Sequence, residues 1–154
     1  MNNGLEIVRV GEDNYKLFDD MVFIRMNGRE KNVDELKQNK GYTEVNKALQ
    51  NENLFIYAAR CDNKFVGWIS VIYLPKVGRT NGRGLMYIDE LYVAPEYRGR
   101  GFAKELMKKA DERSDLLNAL GIRLFVDMEN ESAINVYKKC GYIEEGKTYF
   151  MEKE

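Results

Sequence analysis

The chain contains no histidine at all. That excludes a Ser-His or Cys-His nucleophile, and it removes a principal ligand of structural and catalytic zinc, so no metal is expected. Cysteine is almost as scarce. Cys61 and Cys140 stand alone, without the paired spacing of a zinc ribbon or a disulfide framework, which suits a reducing compartment. Proline occurs twice, and both Pro75 and Pro95 read as breaks at the ends of strands. No apolar run approaches the length of a membrane span. Met1 to Val10 lacks the basic start and apolar centre of a signal peptide. No block of like charges occurs and the formal net charge is −1, which argues against nucleic acid or a membrane surface as the main partner. The expected localisation is cytoplasmic.

What remains is an ordinary globular balance. Of 154 residues, 44% are apolar and 32% charged, enough for one domain with a real core. No repeat, low-complexity tract or linker divides the chain, so residues 1–154 read as a single domain. Leu5–Val10 alternates as a first strand. Asp13 or Asn14 is placed to cap a helix over Tyr15–Met26, which Asn27-Gly28 ends. Asn32–Leu49 is polar with scattered apolar positions, one or two short helices. Leu54–Ala59 and Phe65–Leu74 are strands joined by a turn at Cys61-Asp62-Asn63-Lys64. Gly67 inside the second of these points to a bulge or a close backbone approach. Pro75–Gly84 holds three glycines and three basic residues, and reads as a solvated loop because no helix follows to focus its charge. Ile122–Asp127 is a further strand, Asn130–Lys139 a helix, and Tyr142–Glu144 with Tyr149–Glu152 a closing hairpin.

The chain is organised around Tyr87–Ala103. Tyr87–Val93 is an apolar and aromatic strand carrying two acids, and Ala94–Tyr97 is a turn begun at Pro95. Arg98-Gly99-Arg100-Gly101-Phe102-Ala103 then opens a helix to Leu117 or Leu120, stopped by Gly121, with Phe102, Leu106, Ala110 and Leu117 on one stripe. Gly99 and Gly101 allow a ligand close to the backbone, the first helical N–H groups lack acceptors, and Arg98 and Arg100 add positive charge. The sum is a cradle for a pyrophosphate, set against the plainer reading of a glycine turn before a surface helix. A Walker A loop would need Gly-Lys-Ser/Thr where Gly101-Phe102-Ala103 stands, and the dinucleotide fingerprint fails at Lys104.

Arg98, Gly101 and Ala103 fill the pattern Arg/Gln-x-x-Gly-x-Gly/Ala, and behind the strand Leu91-Tyr92-Val93 this segment closely resembles the acetyl-CoA-binding motif of the GNAT N-acetyltransferases. Asn130-x-x-Ala133-x-x-x-Tyr137-x-x-x-Gly141-Tyr142 is similar to a second segment of that family. The resemblance implies an α/β (α+β) fold: a central mixed, mostly antiparallel sheet flanked by helices, with two central strands splayed apart. It implies that backbone groups of Leu91, Tyr92 and Val93 bind the pantetheine arm and thioester, that Asn130 bonds the pantetheine amides, and that acetyl-CoA is the cosubstrate. It also places Asn32–Leu49 over the acceptor site, set against the plainer reading of a poorly packed surface helix pair.

Acetyl transfer to an amine needs a polarised thioester, a deprotonated amine and a protonated leaving thiolate. Tyr137 is the candidate acid, because a phenol keeps its proton at neutral pH; the alternative is an aromatic on the apolar face of its helix. Asn130 has the alternative role of an N-cap. Asp89 and Glu90 are the candidate bases. As strand neighbours they point to opposite faces, Asp89 with Tyr87 and Val93, Glu90 with Ile88 and Tyr92. Asp89 ranks slightly ahead.

The expected function is acetyl transfer by direct attack of a primary amine, the acceptor a small cationic amine or else a protein N-terminus or lysine. The rival classes are an acetyl-CoA-binding sensor without turnover and a nucleotide-binding protein. Tyr137 and the acidic pair favour the first, since a silent module needs neither. A homodimer stays open.

Overall fold

A computed structural model describes residues 4–38, 43–78 and 80–154. Its elements in order are β1 Glu6–Arg9, α1 Tyr15–Asn27, α2 Val33–Lys37, α3 Thr43–Leu49, β2 Leu54–Cys61, β3 Lys64–Leu74, β4 Leu85–Val93, α4 Phe102–Leu116, β5 Ile122–Leu124 and α5 Glu131–Lys139. A single 3-10 turn, Pro95–Tyr97, links β4 to the loop before α4.

The strands form one sheet in the order β1-β2-β3-β4-β5, antiparallel except for the parallel pair β4–β5. The β2–β3 hairpin closes through Asp62 and Asn63, at φ 50° and 60°. Two successive left-handed residues make the turn whose twist matches that of the strands it joins, and Asn and Asp tolerate the conformation best after glycine.

Helices cover both faces. On one, Phe102, Leu106, Met107 and Ala110 of α4 pack against Phe55, Ile69, Val71, Met86, Ile88 and Val93, with Tyr137, Cys140 and Tyr142 closing the edge. Each such Leu, Met or Phe side chain stabilises the fold by about 1.5–3 kcal/mol. Arg113 ties α4 to β2: its guanidinium lies 4.6 Å from the centroid of Phe55 and donates to the Tyr57 hydroxyl at 2.9 and 3.0 Å. On the other face, Met21 of α1 and partly buried Leu17, Phe18 and Val22 pack against Ala58, Phe65, Trp68 and Tyr92. α1 ends as expected, with Gly28 left-handed at φ 66° and its N–H on the Ile24 carbonyl.

Several expectations change. Asn14 does not cap α1 through its side chain, which instead accepts from Gly11 N at 2.8 Å and donates to the Arg9 carbonyl at 2.9 Å. Residues 32–49 hold two short helices, of which α2 carries a reciprocal Asn32–Glu35 capping box, with residues 39–42 outside the described ones. α4 starts at Phe102 and ends at Leu116, before Gly121. Asn118 takes the left-handed position (φ 49°), its N–H bonds Asp115 O at 3.1 Å, and Ala119 N bonds Ser114 O at 2.9 Å. Those paired bonds satisfy the last carbonyls of the helix and terminate it. β5 stops at Leu124, because Asp127 turns the chain by accepting Glu129 N at 2.9 Å through its side chain. The closing hairpin does not form: Tyr142–Glu154 has no strand, and Ile143, Tyr149, Phe150 and Met151 are 76–95% exposed. The pattern is strand-like, but a hairpin needs a sheet to pack on, and the three-residue β5 offers little edge.

Gly67 is both things its position suggests. The β2–β3 register shifts beside it, and a Cβ there would lie 2.6 Å from the Tyr92 carbonyl oxygen and 3.3 Å from Val93 Cα. Gly67→Ala should therefore destabilise by about 1–3 kcal/mol through overpacking, against the gain of about 0.4–1 kcal/mol that Gly→Ala gives at an unconstrained site. The sign of the change in urea midpoint decides between the two.

Candidate functional site

The site begins where β4 and β5 part. Their pairing covers Met86↔Ile122, Tyr87↔Arg123 and Ile88↔Leu124 and then stops, while β4 runs on to Val93 alongside β3 alone. What stands here for the expected splay of two central strands is the end of pairing between β4 and the edge strand β5, which stops at Leu124. Across its mouth Tyr87 and Phe125 hold their rings 5.5 Å apart. Burial, and then the charge of Asp89, push the Tyr87 phenol up, against the opposite pull of Arg123.

Asp89 sits at a bulge. Val71 pairs with Ile88 and Ser70 with Glu90, so Asp89 has no opposite residue on β3. One extra residue reverses the alternation. Met86 and Ile88 before the bulge and Leu91 and Val93 after it all belong to the α4-side core, while Tyr92 joins the α1-side cluster. The face assignment made from simple alternation is thus corrected. Val93 shares the face of Ile88 and not that of Tyr87, and Glu90 reaches the face of Trp68 and Tyr92.

Glu90 is held there. The Trp68 indole N–H donates to its Oε2 at 3.1 Å, although the carboxylate side chain is otherwise exposed. Trp68 itself is 2% exposed, wedged between Phe18 (5.4 Å, edge to face) and Tyr92 (4.7 Å). The Arg25 guanidinium lies over both rings, 5.0 Å from Trp68 and 4.6 Å from Tyr92. Neither Trp68 nor Arg25 was singled out from the sequence. The available signals were a tryptophan two residues from Ser70 on a central strand, and a basic residue in the last turn of α1.

At the C-terminal end of β4 the glycine loop turns back. Arg98 Nε donates to the Val93 carbonyl at 2.9 Å, so this arginine first locks the loop to the strand. Arg100 lies 5.2 Å from the Tyr97 ring, and Tyr97 stacks 6.0 Å from Phe102, which is buried. Gly99 and Gly101 are left-handed at φ 74° and 83°, and a Cβ at either would meet nothing within 4 Å among the described residues beyond its immediate chain neighbours. Both therefore face open space next to the first turn of α4. That turn and the two arginines follow directly on the stretch Asp89–Val93 that β5 leaves unflanked, an order of groups suited to an elongated anionic ligand with a phosphate end. Ala103 packs inward against the core.

Tyr137 is half-buried on α5. It packs on the same core as Leu91, Tyr97 and Ala103, and burial pushes its phenol up. Tyr142 lies 6.1 Å away ring to ring, its hydroxyl buried with no hydrogen-bond partner among the described residues. Burial raises the Tyr142 phenol further. Asn130 caps α5, accepting Ala133 N at 3.1 Å, and is exposed. Its capping role is therefore met.

A sequence profile of the acetyltransferase (GNAT) family matches residues 19–142. Among curated proteins, the spermidine N(1)-acetyltransferase of Vibrio cholerae is 41% identical over 58 residues, covering 37% of this chain and 34% of its own length. That of Escherichia coli K12 is 33% identical over 98 residues, 63% of this chain and 48% of its own. The chain thus spans between a third and a half of the length of these relatives. Among solved structures, an aminoglycoside acetyltransferase from an uncultured soil metagenomic sample, in complex with trehalose, aligns with a TM-score of 0.81. It is 19% identical, over 99% of this chain and 98% of the other. AAC(6')-Iy in complex with a CoA bisubstrate analogue aligns with a TM-score of 0.76 at 15% identity, over 97% and 98% of the two chains. At these identities the likeness is one of fold.

Proposed function

Because the chain belongs to the acetyltransferase (GNAT) family, we propose that it moves an acetyl group from acetyl-CoA to a primary amine by direct attack in a ternary complex, with a small cationic amine as acceptor. The observation that carries this reading is the parting of β4 from β5 at Asp89, beside a left-handed glycine loop at the start of α4. The spermidine N(1)-acetyltransferases among the similar proteins support the acceptor class.

Acetyl-CoA, when bound, supplies an acyl group already activated as a thioester. The protein's part is positioning and proton transfer. The first N–H groups of α4 and the Arg100 cation would hold the phosphates, with Gly99, Gly101, Phe102 and Ala103 shaping the turn and Arg98 fixing it to β4. Backbone groups of Leu91, Tyr92 and Val93 would line the acyl end, and Asn130 would stand near the arm as well as capping α5. Asp89, at the bulge and the mouth of the splay, takes the proton of the attacking amine, directly or through water. Glu90, anchored by Trp68, holds a cationic acceptor. Tyr137 returns a proton to the departing sulfur, for which a phenol kept protonated by burial is suited.

CoA should raise the thermal stability of the protein, since a ligand specific to the native state contributes about 2.7 kcal/mol at a hundredfold excess over Kd. Gly101→Val should abolish that shift. It forces a β-branched residue to φ 83°, at a cost of about 1–3 kcal/mol, so its Tm starts lower. Absence of any shift in the unmodified protein with CoA or acetyl-CoA would sink the reading. A full shift with no thiol release against a panel of amines would leave a binding module in place of an enzyme.

A further inference from the structure

We propose that the ring faces of Trp68 and Tyr92, together with the Glu90 carboxylate, form a recognition site for an organic ammonium or guanidinium group, and that Arg25 fills this site from within the chain as a displaceable stand-in. The inference rests on the amine-acetylating reading above and deepens it by naming the residues that select the acceptor's charge.

The chemistry of the patch is that of a cation binder. Two electron-rich rings meet at 4.7 Å and 42°, which gives a shallow aromatic corner. Glu90 sits at its border with its position fixed by the Trp68 N–H. A cation already occupies the corner, at 4.6 and 5.0 Å from the two centroids. Arg25 is held there by the rings and not by a carboxylate: among the described residues it makes no ion pair. It is exposed, in the last turn of α1, three residues before the left-handed Gly28 that ends the helix. A structural arginine in this position would gain most from a buried partner. An exposed one stacked on aromatics is held by a preference of only about two- to fivefold. Its long side chain can swing into solvent when a second cation arrives. Glu90 and Tyr92 follow Asp89 on β4, and Trp68 pairs with Tyr92 from β3, so an acceptor gripped by one charged group would carry its other amine toward the mouth of the splay.

Trp68 is the sole tryptophan of the chain, so its emission reads this corner directly. Spermidine titrated without CoA, at low salt and with excitation selective for tryptophan, should change that emission saturably, whereas an uncharged polyol of similar length should not. Arg25→Ala, at an exposed position, should bind spermidine about two- to fivefold more tightly because the internal competitor is gone. Arg25→Lys should fall between. Glu90→Gln should bind about two- to fivefold more weakly. Weaker or unchanged binding by Arg25→Ala, or a silent Trp68 in a protein that CoA still stabilises, overturns the cation site alone. Loss of the CoA shift in the unmodified protein overturns the acetyl-transfer reading instead, and the Trp68 titration still decides the site.

Discussion

Asp89→Asn should lower kcat by about two to four orders of magnitude, the usual range for loss of a positioned general base, while Glu90→Gln should leave kcat within a fewfold and raise KM for a cationic amine. The two carboxylates are neighbours in sequence, yet the fold gives them different surroundings. Glu90 accepts the Trp68 indole N–H at 3.1 Å and borders an aromatic corner. A group committed to that bond is suited to holding charge in the ground state. Asp89 is the unmatched residue of a β-bulge, at the first position of β4 beyond its pairing with β5. Bulges re-aim a side chain, and here the re-aimed residue stands where the two strands part. Asp89→Asn is isosteric, so fold and CoA affinity should be kept, and the acidic limb of the kcat profile should vanish with the base. The KM effect of Glu90→Gln is the sign of lost uniform binding, since it acts alike on ground and transition states. If Glu90→Gln carries the kcat loss and Asp89→Asn does not, the two roles are exchanged. If neither mutant changes either constant, the amine arrives neutral and no acid takes part.

Much of this was legible in the chain, and the parts that were not have identifiable causes. Strand and helix order followed from periodicity, because β2, β3 and α4 carry long, consistent apolar patterns. The turn at Arg98–Ala103 was legible because glycine has a conformational reason to be there, and both Gly99 and Gly101 do adopt positive φ. The bulge at Asp89 was not. Alternation assumes an unbroken pleat, and nothing in Ile88-Asp89-Glu90-Leu91 marks the insertion, which is set by the pairing with Ser70 and Val71 on β3. The Trp68–Glu90 bond and the Arg25 stack join residues 22 and 43–67 positions apart, so local pattern could not supply them. The closing hairpin failed for the opposite reason. Its local pattern is strand-like, but strand propensity is context-dependent, and Tyr149, Phe150 and Met151 meet no sheet. Arg98 was read as a ligand for phosphate and turned out first to be a clamp on Val93.

Tyr137→Phe should reduce kcat by about one to three orders of magnitude with little change in stability or CoA affinity. The ring packs on the α4-side core and stays in place in the variant, so only the proton donor is removed. A second tyrosine makes the test sharper. Tyr142 lies 6.1 Å from Tyr137, ring to ring, and also has a phenol pushed up by burial. Its hydroxyl is buried without a partner among the described residues, so Tyr142→Phe should be neutral or stabilising by about 1 kcal/mol and leave kcat unchanged. If Tyr142→Phe carries the kinetic loss, the acid is Tyr142 and Tyr137 belongs to the core alone. The pH dependence gives an independent reading. A general acid must be protonated, and burial raises the Tyr137 value above that of an ordinary tyrosine, about 10. The alkaline limb of kcat should therefore lie above that range and disappear in Tyr137→Phe. Stability carries the same sign. With folded values above unfolded ones, the contribution of both phenols is fully present below the unfolded value and is lost as the pH climbs past it toward the folded value. Each Tyr→Phe change should flatten that alkaline decline, but only Tyr137→Phe is expected to lower kcat.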